Sequence, residues 1–132
     1  MTLAEATPRM TIEEFVDWAS RQATGRYELI DGEVVAMPAE GGRHNLVKLA
    51  VARALEDAIA AAGLACTAFT DGMTVRITDR RGREPDAAVT LGPVADIDAK
   101  ILVDPVIVVE VVSPSSEQDD TGAKLIEYFS VP

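Results

Sequence analysis

Seven consecutive residues constrain the fold more than any other part of the chain: Val106-Ile107-Val108-Val109-Glu110-Val111-Val112. Six β-branched apolar side chains surround one carboxylate. An apolar run of this length without polar alternation predicts a strand covered on both faces. An ionised carboxylate in that setting costs several kcal/mol unless something compensates it. Glu110 can meet an Arg or Lys, sit where the strand emerges into solvent, or bind a metal ion. Each option leaves the strand in the interior of a sheet and gives its one acid a purpose to be found elsewhere in the chain.

The remaining elements follow from periodicity and punctuation. Thr11 and Glu14 form a capping box, and Ile12, Phe15, Val16 and Ala19 then recur at helical spacing, so a helix is expected over 11–22. Trp18 on it reads as a core or flank residue. Tyr27–Ile30, Asp31-Gly32 and Glu33–Met37 predict a β-hairpin, because Asp-Gly suits a tight turn with positive φ. A loop, Pro38 to Gly42, leads to the longest helix, about Arg43 to Ala62. Its buried stripe is expected at Val47, Val51, Leu55, Ala58 and Ala62, with Lys48, Glu56 and Asp57 facing away. Gly63 ends it. Strands are expected at Leu64–Phe69, Met73–Ile77 and Asp86–Leu91, with a polar loop at Asp79–Arg83. An irregular acidic stretch, Gly92–Asp104, precedes the Val106–Val112 strand. Ser113-Pro114-Ser115-Ser116 stops that strand, and a last helix is expected over Asp119–Phe129.

Helices and strands are thus mixed around a central covered strand. The expected fold class is α/β (α+β), a central mixed β-sheet flanked by helices with an N-terminal helix and β-hairpin. The length of 132 residues suits one domain. Residues 1–10 read as a flexible N-terminus and residues 11–132 as the domain. No apolar stretch approaches the roughly 20 residues that cross a bilayer, and the start lacks a signal pattern, so no membrane partner and a cytoplasmic location are expected. The single cysteine, Cys66, forms no internal disulfide and reads as a small core residue.

Charge narrows the function classes. A formal net charge of −10 argues against broad, non-specific nucleic-acid binding, which rests on Lys and Arg neutralising phosphates. It leaves room for a nucleic-acid enzyme, since a carboxylate site repels phosphate only until a divalent cation bridges them. Positive charge clusters at Arg76, Arg80, Arg81 and Arg83. That cluster reads as a solvated hairpin tip or as a phosphate-contacting edge.

Five polar residues stand in apolar or strand settings: Glu28, His44, Asp86, Glu110 and Lys124. If the strands carrying Asp86 and Glu110 are neighbours, their carboxylates converge at one end of the sheet. Two such groups repel, and they then bind Mg²⁺ or Mn²⁺ or share a proton. Lys124 is either a solvated helix lysine or an ammonium brought back over the same sheet. His44 reads as structural or exposed, and Glu28 as the exposed face of an edge strand.

Taken in order, Tyr27-Glu28-Leu29-Ile30-Asp31-Gly32-Glu33, His44 leading a long helix, Pro85-Asp86, Asp104-Pro105 and Val109-Glu110-Val111-Val112-Ser113-Pro114-Ser115 resemble the Uma family of restriction-endonuclease-like proteins, within the PD-(D/E)XK nuclease superfamily. The resemblance covers roughly residues 10–130. It implies a restriction-endonuclease-like core and Mg²⁺- or Mn²⁺-dependent hydrolysis of DNA phosphodiester bonds. By position it implies Asp86 and Glu110 as metal ligands, Glu28 as an accessory ligand or base, and His44 as a phosphate or water contact. Val112 occupies the usual lysine position, so the resemblance assigns the ammonium to Lys124 on the following helix. It also implies further strands after that helix, so the domain reads as shortened at its C-terminus and a homodimer is expected to cover the exposed edge. The alternative expectation is a catalytically inactive nuclease-like fold used for binding or assembly.

Overall fold

The computed structural model describes residues 9–112, 124 and 127–131. Helix α1, Ile12–Ser20, begins at the expected capping box: Thr11 Oγ1 accepts the Glu14 N–H, and the Glu14 carboxylate accepts the Thr11 N–H, both at 3.3 Å. This satisfies two of the N–H groups that a helix start leaves without partners. The cap fixes which face turns inward. Ile12 and Phe15 pack on Leu29, with Trp18 set edge-on against Tyr27 at a centroid distance of 4.9 Å.

Strands β1, Tyr27–Ile30, and β2, Glu33–Ala36, form the expected hairpin, with Tyr27 opposite Ala36 and Ile30 opposite Glu33. Asp31 and Gly32 both have positive φ, 51° and 81°. That backbone gives the two-residue turn a twist matched to its strands.

Helix α2 spans Gly42–Ala62 and ends at Gly63 in the left-handed conformation. It packs on β3, Cys66–Thr70, and on β6, Ala87–Leu91. Its inward face differs from the expected stripe. Lys48 is buried, while Val47 is 41% exposed. The face that meets the protein runs through His44, Lys48, Val51, Ala52, Leu55 and Ile59. Apolar periodicity misplaces it because Lys48 enters among carboxylates, where an ammonium finds partners and need not stay in water.

Strands β4, Thr74–Thr78, β5, Arg81–Arg83, and β7, Ile101–Leu102, complete a five-stranded sheet in the order β2-β1-β5-β4-β7. The β4–β7 pairing is parallel and the others antiparallel, so the sheet is mixed. The expected polar loop at Asp79–Arg83 is corrected here: its second half is the middle strand. A Cβ on Gly82 would lie 2.6 Å from both Ile12 Cδ1 and Thr74 Cγ2. Glycine therefore lets α1 lie close over the sheet, and a composition typical of loops serves close packing.

The second sheet has the order β3-β6-β8, all antiparallel. Strand β8 is Ile107–Val109 alone. The expectation of a strand over Val106–Val112 covered on both faces is overturned. Among the described residues β8 is an edge, and Val106 and Val112 are 52% and 48% exposed. β-branched composition selects an extended backbone, but it does not tell a central strand from an edge. Lys124 and residues 127–129 are helical, as expected; the remainder of the Asp119–Phe129 helix, and the Ser113–Ser116 stop, lie outside the described residues. Among the described residues, no helix is long and apolar enough to cross a membrane.

Candidate functional site

The β6–β8 pairing sets the two principal acids side by side. Ala87 faces Val109, so Asp86, one residue before, and Glu110, one residue after, share one end of the pair. The backbone clamps this end: the Asp86 N–H donates to Val109 O at 2.9 Å, and the Val111 N–H donates to Asp86 Oδ2 at 2.6 Å. Asp86 is buried, and the Val111 bond leaves its Oδ1 toward His44 Nε2 at 3.5 Å.

Glu110 sits where the strand leaves the sheet. The Tyr128 hydroxyl donates to its Oε1 at 2.7 Å, and Lys124 Nζ stands 3.7 Å from its Oε2. Burial pushes the Glu110 carboxyl up to about 7, and the charges of Asp86 and Glu28 push the same way, against Lys124 and Tyr128. The Tyr128 hydroxyl is itself pushed up, by burial and then by Glu110, so it stays a donor. Lys124 Nζ also lies 3.7 Å from Glu28 Oε1. One ammonium thus stands between two carboxylates from different sheets.

Glu28 is not on an exposed face. Only 5% of it is accessible; its Oε2 accepts the Glu84 N–H at 3.0 Å, and its Oε1 lies 3.3 Å from an Arg83 guanidinium nitrogen. The arginine cluster divides: Arg80 is exposed at the β4–β5 turn, as a solvated hairpin tip would be, and the others are paired with carboxylates of the protein. Arg83 is buried and binds Glu127 through Nε at 2.6 Å and through a terminal nitrogen at 3.1 Å. Arg81 pairs with Glu127 and Asp31, Arg76 with Glu13 and Asp79, and Arg80 donates to Arg9 O.

A second group of charges lies behind Asp86. One ligand atom each from Glu40, His44 and Asp86 falls within 4.8 Å of the others. Glu40 is already held by Arg26 and by Lys48, the latter at 2.6 Å. Although burial raises its carboxyl, hydrogen bonds from Lys48 and Arg26 hold it below its ordinary value. Lys48 also binds Asp71 at 2.8 Å and stands 4.0 Å from Asp86 Oδ1.

The structure places His44 beside Asp86 and Lys124 between Glu28 and Glu110, with Asp86 and Glu110 opposite each other at one end of the β6–β8 pair. The donor chemistry suits a hard divalent cation, which prefers oxygen ligands. Burial above all, with smaller contributions from Asp86 and Glu28, makes Glu110 hold its proton in spite of Lys124 and Tyr128; a cation there would offset the lost solvation and the repulsion. The Glu40 side is poorer in this respect, because Arg26 and Lys48 already neutralise it. Sequence reading missed Lys48, Glu40, Arg83 and Glu84. His44 and Lys48, four residues apart, share a face of α2, Glu40 lies in the loop four residues before His44, and Arg83-Glu84 directly precede Pro85-Asp86.

Comparison with known proteins bears on this arrangement. A family model described as "Uma2: Putative restriction endonuclease" matches residues 12–131. "Uncharacterized protein slr1290" from Synechocystis sp. is 27% identical over 126 residues, covering 95% of this chain and 65% of the relative. The chain spans just under two thirds of that curated relative's length. A crystal structure titled as that of "a putative nuclease belonging to DUF820", from Anabaena variabilis, superposes with a TM-score of 0.68 at 19% identity, over 89% of this chain and 66% of that one. At that identity the likeness establishes the fold, a nuclease-like α/β architecture with a central mixed sheet.

Proposed function

Because the chain belongs to the Uma2 family, we propose that it is a nuclease that hydrolyses DNA phosphodiester bonds with the help of Mg²⁺ or Mn²⁺. The observation that carries this reading is the placement of Glu110 between Asp86, whose charge opposes its ionisation, and the Lys124 ammonium. A divalent cation held by Asp86 and Glu110, with Glu28 as accessory ligand, would supply Lewis-acid neutralisation of the phosphate charge and lower the pKa of water.

The chain's own groups have distinct parts. The Val111 N–H orients Asp86, and the Tyr128 hydroxyl orients Glu110. Lys124, between Glu28 and Glu110, stabilises negative charge building on the phosphoryl oxygens. The Glu84 N–H and Arg83 fix Glu28, which in turn aims Lys124. His44, beside Asp86, contacts a phosphate oxygen or the attacking water. The family match over residues 12–131 supports one nuclease-like domain across residues 11–132. This reading also has the protein act in the cytoplasm and, with an apolar edge at β8, as a homodimer.

Purified protein is expected to cut duplex DNA with Mg²⁺ or Mn²⁺ and not with EDTA. Asp86→Ala and Glu110→Ala each should lower the rate at least roughly 100-fold, and Lys124→Ala by a similar factor, as for loss of one charge-stabilising group. Full activity in both acid variants would refute the assignment. The alternative, an inactive binding fold, draws on Val112 at the usual lysine position; it requires that no Mn²⁺ binds through Asp86 and Glu110.

A further inference from the structure

Behind Asp86 one ammonium sits among three carboxylates. Lys48 is buried on the inward face of α2, and its Nζ donates to Glu40 Oε2 at 2.6 Å and to Asp71 Oδ2 at 2.8 Å. The same ammonium stands 4.0 Å from Asp86 Oδ1. The three acids come from separate segments: the loop before α2, the turn between β3 and β4, and the residue just before β6. Arg26 completes the group, with Nε 3.1 Å from Glu84 and 3.5 Å from Asp71 and a terminal nitrogen on Glu40. Among the described residues, four acids therefore share two cations of the chain itself. His44 Nε2 lies 3.5 Å from both Glu40 and Asp86.

We propose that Lys48 stands in for a second divalent ion, so that the site loads one metal ion per chain, between Asp86 and Glu110. The single ion rests on the nuclease reading above; the part given to Lys48 is independent of it. Ligand spacing is the first argument. One donor atom each from Glu40, His44 and Asp86 falls within 4.8 Å of the others. Opposite ligands of an octahedral ion bound at about 2.1 Å stand about 4.2 Å apart, so these groups need only a small shift to close on an ion. Charge is the second. A salt bridge needs one acid per lysine, whereas Lys48 faces three, and a surplus of negative charge in a partly buried site is what a divalent ion relieves. The third is exclusion. Lys48 and Arg26 between them engage both oxygens of Glu40. A second divalent ion would enter beside a fixed ammonium, and like charges that close repel. Without that ammonium, Glu40 Oε2 and Asp71 Oδ2 are released and the four acids face one guanidinium.

Mn²⁺ alone is the probe, added to the full chain, with calorimetry for stoichiometry and electron paramagnetic resonance for pairs of nearby ions. The native protein is expected to bind one Mn²⁺ and to show no spin-coupled pair at excess metal. Lys48→Met keeps the apolar stem and removes the charge. It should bind one ion more than the native chain and give a coupled signal, because both ions then share Asp86. In the Lys48→Met background, Glu40→Gln should remove the added ion, and Glu110→Gln should remove the other. A lysine that serves only as a structural counter-ion predicts instead a less stable variant with the native stoichiometry. The proposal is overturned if the native protein holds a coupled pair, if folded Lys48→Met binds no additional ion, or if that ion survives Glu40→Gln. Circular dichroism checks the folding of Lys48→Met, and the native measurement decides the matter alone if that variant fails. A native chain that binds no Mn²⁺, with a Lys48→Met variant that gains one ion through Glu40, would sink the metal-dependent nuclease reading and leave the assignment of Lys48 standing.

Discussion

Glu110 is stable as an acid and costly as an anion. With its carboxyl at about 7 in the fold and near 4.5 in the unfolded chain, the folded state binds the extra proton. Below pH 4.5 both states hold it and nothing is lost; from there to pH 7 stability falls by about 1.4 kcal/mol per unit, and above 7 the loss is constant. Glu110→Gln stays neutral and keeps an acceptor for Tyr128. In EDTA at pH 8 the variant is expected to be more stable by roughly 2–3 kcal/mol, with the gain vanishing by pH 4.5. Urea unfolding at several pH values measures this, and a pH-independent difference would show that charge is not the cause. Mg²⁺ should stabilise the native protein and not the variant. The peculiarity of this acid was legible in the sequence, because a lone carboxylate among β-branched residues has few bland explanations. Its neighbour Asp86 was nameable only as a candidate and its partner Tyr128 not at all, since nothing in a sequence states which strands are neighbours or where a helix packs.

The element that brings Lys124 and Tyr128 to Glu110 is held by a different ion pair. Glu127 lies between Arg83 and Arg81, and although burial raises its carboxyl, hydrogen bonds from those arginines hold it below its ordinary value. Its folded value being depressed, the stabilisation is fully present above the unfolded pKa and is lost as pH falls through the folded one. Glu127→Gln leaves Arg83 buried without its full counter-charge, so a loss of roughly 3 kcal/mol is expected at pH 7, shrinking below pH 4. DNA cleavage should fall with it, because the same segment carries Lys124. Unfolding at pH 7 and pH 3.5 separates this from a packing defect, which would cost the same at both. Sequence reading found the hairpin, α1 and α2 to within a few residues because caps, Asp-Gly and periodicity are local signals. It failed at Arg81–Arg83, which looks polar and glycine-rich yet forms the middle strand. The reasons are non-local: Glu127 is 44 residues from Arg83, and the close approach of α1 at Gly82 depends on tertiary packing.

For the whole molecule, a net charge of −10 and a site built of acids set the terms on which DNA can bind. Most of the described arginines are engaged with carboxylates of the protein itself, so few cations remain to displace counterions from phosphates. Without a divalent ion, duplex DNA meets the carboxylates of Glu28, Asp86 and Glu110, whose nearby cations are already engaged with them, and affinity should be poor. Each phosphate neutralised contributes a slope of about −0.9 in log affinity against log salt. A protein holding DNA by broad basic contacts shows slopes near about −6 or steeper; here about −2 to −3 is expected with the divalent ion present. Fluorescence anisotropy with a labelled duplex in Ca²⁺, over a range of NaCl at fixed Ca²⁺, reads the slope. Repeating it in EDTA with Asp86→Asn and Glu110→Gln tests the cause, because removing either charge should raise the metal-free affinity above that of the native protein. A steep slope, or no gain in those variants, would mean that DNA is held by a basic surface away from these acids, and the cation would then serve chemistry without serving binding.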